Sequence, residues 1–128
     1  MKNYLWNMYA NIQNGQLANK SFIIQKRTKI CSIFLDILWN EGYILGYKIN
    51  IKDKTTLKIF LKYKNNKPSI SSIKAFSKPG KRIYFNTKQL WKIDSVEGLL
   101  IISTNKGLLT LPECKINNVG GEPLAIVK

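Results

Sequence analysis

The sequence predicts an α+β protein built as two small subdomains, an N-terminal α-β-α-β-β unit over residues 1–65 and a mainly β unit over 66–128. Three patterns carry this reading. Apolar residues recur at helical spacing in two early segments. Alternation of apolar and polar residues runs from Leu45 to Ile51 and resumes in the same phase from Leu57 to Lys64 after a polar turn. A continuous apolar run, Leu99-Leu100-Ile101-Ile102, has the character of a strand covered on both faces.

Residues 4–13 place Tyr4, Leu5, Met8, Tyr9 and Ile12 on one helical face, and Asn14-Gly15 is the expected stop. Ser21–Lys26, with Phe22-Ile23-Ile24 at its centre, reads as a strand. A second helix follows Thr28 as N-cap, with Ile30, Ile33, Phe34, Ile37 and Leu38 as its buried stripe and Gly42 as its end. From Leu45 to Ile51 the odd positions are apolar, while Gly46, Lys48 and Asn50 point outward, so Gly46 is expected to tolerate a side chain. After a turn at Lys52-Asp53-Lys54 the same phase resumes. Leu57, Ile59, Leu61 and Tyr63 point in; Lys58, Lys62 and Lys64 point out. Beyond the turn at Asn65-Asn66-Lys67-Pro68, a strand is marked by Ile70, Ile73 and Phe76 and ends at Lys78-Pro79-Gly80. Arg82–Phe85 is a short strand, and Thr87–Lys92 a helical turn carrying Leu90 and Trp91. The run 99–102 leads into the polar turn Ser103–Gly107, Leu108–Leu111 returns, and an irregular or helical segment follows Pro112. Gly120-Gly121 introduces a last strand, Leu124–Val127, and a positive φ or a close backbone approach is expected at the pair.

Charge narrows the functional classes. The 128 residues hold 21 Lys and Arg against 7 Asp and Glu, a net charge of +14. The excess is shared, +8 in residues 1–65 and +6 in 66–128, so neither half is a basic tail on a neutral domain. A domain this basic suits a polyanion, most often nucleic acid. Histidine is absent, which removes His-based acid–base chemistry and most zinc sites. The seven carboxylates are scattered, and no glycine-rich nucleotide loop occurs, so neither an enzyme nor a cofactor or metal is expected. Cys31 and Cys114 match no metal or redox spacing, and Cys31 reads as a small core side chain in a reducing compartment. No apolar run is long enough for a membrane span, and Met1-Lys2-Asn3-Tyr4 has the character of neither a signal nor a transit peptide. Only Arg27 and Arg82 among the basic residues are arginine; with abundant Ile and Asn, this suggests an A/T-rich coding genome such as an organelle's.

Two segments have the chemistry of RNA readers. In Ser103-Thr104-Asn105-Lys106-Gly107, hydroxyls and an amide suit 2′-OH groups and base edges, lysine suits phosphate, and glycine admits a close backbone. An ordinary polar turn has the same composition, so the residues alone leave both readings open. Gly120-Gly121-Glu122 pairs two residues lacking Cβ with a carboxylate, either a specific acceptor or a simple loop charge. The lysines of residues 48–67 supply a summed field whether or not any one of them touches phosphate.

Taken in order, Asn14-Gly15, Asn19-Lys20, Ser77-Lys78-Pro79-Gly80 with Arg82 and Tyr84, Ser103-Thr104-x-Lys106-Gly107 and Gly120-Gly121-Glu122 resemble the bacterial-type small-subunit ribosomal protein eight family, from about Met8 to Val127. The resemblance implies a two-subdomain, non-enzymatic protein that binds the central domain of small-subunit rRNA early in assembly, beside other small-subunit proteins. It implies that Ser103, Thr104, Asn105, Lys106 and Gly107, together with Gly120, Gly121 and Glu122, meet the minor groove of an irregular stem. Ser77, Lys78, Pro79, Gly80, Arg82 and Tyr84 would shape the same surface, and Asn14 and Lys20 would add contacts. Family members usually carry arginines where this chain has Asn11 and Gln13, and basic residues where it has Leu111-Pro112-Glu113-Cys114, leaving Lys115. The alternative function is a regulator binding mRNA or DNA outside the ribosome; a small hydrolase is a distant third. The lysine bias favours a mitochondrial ribosome over a plastid or an A/T-rich bacterium.

Overall fold

A computed structural model describes residues 2–76, 83–93 and 98–128. It is of mixed α+β class, in two compact units, 1–71 and 72–128.

The first unit opens with α1 (Lys2–Leu17), followed by β1 (Phe22–Lys26), α2 (Lys29–Asn40), β2 (Ile44–Ile49) and β3 (Thr56–Leu61). The strands form an antiparallel sheet in the order β1-β3-β2. Leu5, Met8 and Ile12 of α1 and Phe34, Leu35 and Leu38 of α2 are buried together with Ile23, Leu57 and Ile59 of the sheet. Tyr9 and Phe34 join the two helices ring to ring, centroids 5.2 Å apart. The expected stop at Asn14-Gly15 lies inside α1. Gly15 is a contact residue there: a Cβ would stand 2.6 Å from Ile23 Cγ2 and 3.0 Å from Leu61 Cδ1, so its absence lets the helix approach the sheet.

Thr28 caps α2 as expected, its side chain accepting from Cys31 N, and Gly42 follows the end at φ +80°. The buried stripe is rotated from the expected one: Cys31, Phe34, Leu35 and Leu38 are covered, whereas Ile33 is exposed. Alternation in β3 is as read, with Leu57, Ile59 and Leu61 inside. In β2 a bulge between Ile44 and Gly46 breaks the phase, so Leu45 is 61 % exposed and Gly46 is buried. Gly46 does not face open solvent. Its φ is +152°, and the Trp39 ring lies 3.4 Å from where a Cβ would stand.

The ribbon β4 (Tyr63–Lys64) and β5 (Lys67–Pro68) turns at Asn65-Asn66, both at positive φ as a type I′ turn requires. Ile70 belongs with this unit. It is buried, and its N–H donates to Gln16 Oε1 at 3.2 Å, so the boundary between compact units falls after Ser71 rather than at the Asn65-Asn66 turn.

The second unit contains β6 (Ile73–Ala75), α3 (Thr87–Trp91), β7 (Leu99–Thr104), β8 (Gly107–Thr110), α4 (Leu111–Asn117) and β9 (Glu122–Val127). Its antiparallel sheet has the order β6-β9-β7-β8. Leu99 to Ile102 are all buried, as a central strand requires. Leu90 of α3 and Leu111 and Cys114 of α4 pack with Leu100, Ile102 and Ile126. The strand expected over Arg82–Phe85 reduces, in the described residues, to a bridge between Phe85 and Gly121. That expected across Ile70, Ile73 and Phe76 shortens to β6. No helix of the described residues is long and apolar enough to cross a membrane.

Candidate nucleic-acid interface

β7 extends two residues beyond its buried run, so Ser103 and Thr104 are strand residues and Asn105-Lys106 form the hairpin turn. Ser103 pairs with Leu108 on one side and with Glu122 on the other. Thr104 is occupied by the turn itself. Its hydroxyl donates to Gly107 O at 2.8 Å and accepts from Lys106 N at 3.1 Å. Gly107 sits at φ +106° with nothing within 4 Å of a would-be Cβ, so it serves turn conformation.

Gly120 and Gly121 meet the expectation of close approach. A Cβ on Gly120 would lie 2.5 Å from Phe85 O, and one on Gly121 would collide with Ser103 O. The Phe85–Gly121 bridge, with N···O distances of 2.8 and 2.9 Å, fixes this approach. It draws Tyr84 and Thr87 toward the end of β7. The result is an open cleft of about 420 Å³ lined by Tyr84, Thr87, Ser103 to Asn105 and Asn118 to Gly121.

Among the described residues, the lining carries hydroxyls, amides and backbone but no charged side chain. Such a surface suits neutral hydrogen-bonding partners, ribose hydroxyls and base edges, better than phosphate. Among the described residues, no hydrogen bond engages the Ser103 hydroxyl. Lys106 is exposed in the adjoining turn, outside the lining, and Glu122 is half-buried opposite Ser103.

The remaining expected residues are divided. Ser77, Lys78, Pro79, Gly80 and Arg82 lie outside the described residues. Asn14 and Lys20 belong to the first unit, where both are exposed; the Lys20 carbonyl accepts from the Tyr63 hydroxyl at 2.6 Å. Thr87 and Asn118 line the cleft although no motif pointed to them. Asn118 holds the left-handed position that ends α4 (φ +57°), a role its place before Val119-Gly120-Gly121 could have suggested.

Where the family pattern would place arginine or other basic residues, this chain has structural groups. Asn11 Nδ2 donates to Ile24 O at 2.7 Å and to Gln25 Oε1 at 3.1 Å, tying α1 to β1. Glu113 accepts from Thr110 N at 3.1 Å and from Thr110 Oγ1 at 3.0 Å, closing the start of α4. Lys115 donates to the Ile93 carbonyl and lies 5.7 Å from the Trp91 ring centroid. No group of three potential metal ligands occurs among the described residues.

A family model described as "Ribosomal protein S8" matches residues 3–127, nearly the whole chain. This chain belongs to that family. It is a family of ribosomal proteins, not of enzymes. Relatives named small ribosomal subunit protein uS8 include that of Malacoplasma penetrans, 41 % identical over 122 residues and covering 94 % of this chain and 93 % of the relative. That of Erythrobacter litoralis is 40 % identical over 128 residues, with coverage of 99 % and 98 %. That of Wigglesworthia glossinidia brevipalpis is 38 % identical over 128 residues, covering 100 % and 98 %. All three are bacterial, whereas composition had favoured a mitochondrial ribosome.

Proposed function

We propose that this chain is a structural constituent of the small ribosomal subunit, bound to the central domain of small-subunit rRNA beside other small-subunit proteins. Within it, the cleft of the second unit reads the minor groove of one irregular stem. One observation carries the reading: a cleft whose described lining is neutral, with hydroxyls and amides, stands at the end of a rigid buried strand in a protein of net charge +14. The overall charge supplies affinity through counterion release, and the cleft supplies register through hydrogen bonds. By the family motif, Lys106 and Glu122 also meet this stem, Ser77 to Gly80 and Arg82 help shape the RNA-binding surface, and Asn14 and Lys20 of the first unit add contacts.

The test is a pair of salt titrations on the cognate stem and a scrambled stem, wild type against Ser103→Ala. A loss of about threefold to tenfold on the cognate stem alone, with the salt slope unchanged, supports direct readout. Equal weakening on both stems means that the residue is structural. Competition by duplex DNA separates this function from a regulator outside the ribosome, because only RNA offers 2′-hydroxyls. The compartment is a second proposal. The lysine-over-arginine bias supports a mitochondrial ribosome, the bacterial relatives support a bacterial cytoplasm, and sedimentation of the chain with organellar or bacterial small-subunit RNA decides between them.

A further inference from the structure

The sheet of the first unit has a second face. Its inner side carries Ile23, Gln25, Leu57 and Ile59, all buried. By the register of β1 and β3, Phe22 stands opposite Phe60, and Ile24 opposite Lys58; Lys48 of β2 stands on the other side of Lys58. These residues line the outer side of the sheet, with Phe22 39 % and Ile24 42 % exposed. The two phenyl rings are 6.4 Å apart. Lys58 Nζ lies 4.0 Å from the Phe22 centroid and 5.5 Å from that of Phe60, and Lys48 Nζ lies 5.7 Å from Phe60. None of the three strands contains an Asp or Glu. One exposed ring, Phe22, and one half-buried ring, Phe60, are thus interleaved with ammonium groups, and no carboxylate of the sheet competes for them.

We infer that this outer face is a second RNA surface, a stacking platform for unpaired bases whose phosphates are held by Lys48 and Lys58. The inference rests on the RNA-binding reading for the class of polymer, but it uses neither the cleft nor its residues. Charge complementarity selects a polyanion, and the solvent-facing sides of the Phe22 and Phe60 rings select one that carries flat, apolar faces. A duplex stacks its bases internally and offers none, so the partner is single-stranded. Resting cation–π contacts hold Lys58 over the rings, and a phosphate drawn to that ammonium brings its neighbouring base to the phenyl groups.

The experiment uses the full chain and two probes, a short single-stranded oligoadenylate carrying a fluorescent adenine analogue and inorganic polyphosphate, which has charge but no bases. Phe22→Leu and Phe60→Leu keep apolar volume and remove the rings. Each should weaken oligoadenylate binding about fivefold or more with no change in salt slope. Neither should change binding to polyphosphate or to the cognate stem. Lys58→Gln should reduce the oligoadenylate salt slope by about 0.7. Phe22→Tyr retains a ring and should bind as wild type; if a leucine variant fails to fold, the comparison of oligoadenylate with polyphosphate on the wild-type chain still decides. Wild-type oligoadenylate affinity in both leucine variants overturns the platform. So does equal binding of oligoadenylate and polyphosphate, since the face would then be only a field of charge or a docking surface for a protein. Loss of stem binding by Ser103→Ala with oligoadenylate binding intact separates the fate of this proposal from that of the cleft.

Discussion

At the scale of single residues, glycines and one tyrosine show how much a side chain's surroundings decide. Gly121→Ala would drive a methyl group into the Ser103 carbonyl, and Gly120→Ala into that of Phe85. Neither backbone can yield without disturbing the bridge that forms the cleft. Each should cost about 1–3 kcal/mol, as overpacking does, and weaken stem binding. Gly46→Ala meets a positive φ and the face of Trp39, a ring with room to shift, and should cost about 1 kcal/mol without affecting the stem. Denaturant midpoints of the three variants check this ranking. Tyr47 donates to Asp36 at 2.5 Å; burial first, then this hydrogen bond and the carboxylate's charge, push its phenol up to about 12. A pKa raised in the folded state gives stability that is present below the ordinary value of 10 and is lost as pH rises toward 12. Wild type should therefore lose more stability than Tyr47→Phe between those limits; parallel losses would mean that the phenol contributes nothing.

Elements were legible wherever a local rule and the tertiary fold agree. Thr28 is a side-chain cap followed by an apolar segment, and Thr28→Ala should lower the unfolding free energy by about 1 kcal/mol, read from chemical denaturation. The alternation of β3 and the apolar run of β7 are equally direct, since one lies between solvent and helices and the other at the centre of its sheet. Misreadings arose where a contact distant in sequence decides. The segment Lys29–Asn40 is apolar on most of its circumference, so periodicity alone did not select the face that α1 covers. Gly15 resembles a helix stop until Ile23 and Leu61 are placed beside it. The bulge in β2 has no local signature beyond a glycine. The 103–107 hairpin was located by composition, yet its two hydroxyls differ in a way that composition cannot show. Thr104→Val removes both turn bonds, so it should loosen the hairpin and weaken every RNA contact that depends on it. Ser103→Ala should leave the hairpin intact. Amide exchange at Lys106, whose N–H is bonded to Thr104 Oγ1, distinguishes the two variants directly.

For the whole molecule, the charge excess was legible from composition, whereas the meeting of the two distant segments was implied only by the family resemblance and not by composition or periodicity. Ser103 and Gly121 are joined by sheet register, which needs β9 to lie beside β7 and Phe85 to bridge it. Exposed lysines away from the aromatic face, such as Lys52 and Lys64, contribute to the field of the entire protein. Their replacement by glutamine should weaken all RNAs alike, each true phosphate contact removing about 0.7–0.9 from the salt slope. A variant of either lysine that lost one RNA and spared others would locate a specific contact instead.

The two cysteines fall one to each compact unit, Cys31 in the first and Cys114 in the second, and both are fully covered. Burial also pushes both thiols up, so the reactive thiolate is scarce in the closed state. An alkylating reagent therefore modifies either sulfur chiefly when its own unit opens, and the sequence provides two internal clocks without any engineered probe. Peptide-resolved labelling would time the opening of each unit separately. Equal rates across a denaturant series would mean that both halves open as one cooperative body. Unequal rates would rank their local stabilities, and adding the cognate stem should then slow the Cys114 clock more than the Cys31 clock, because the cleft belongs to the second unit.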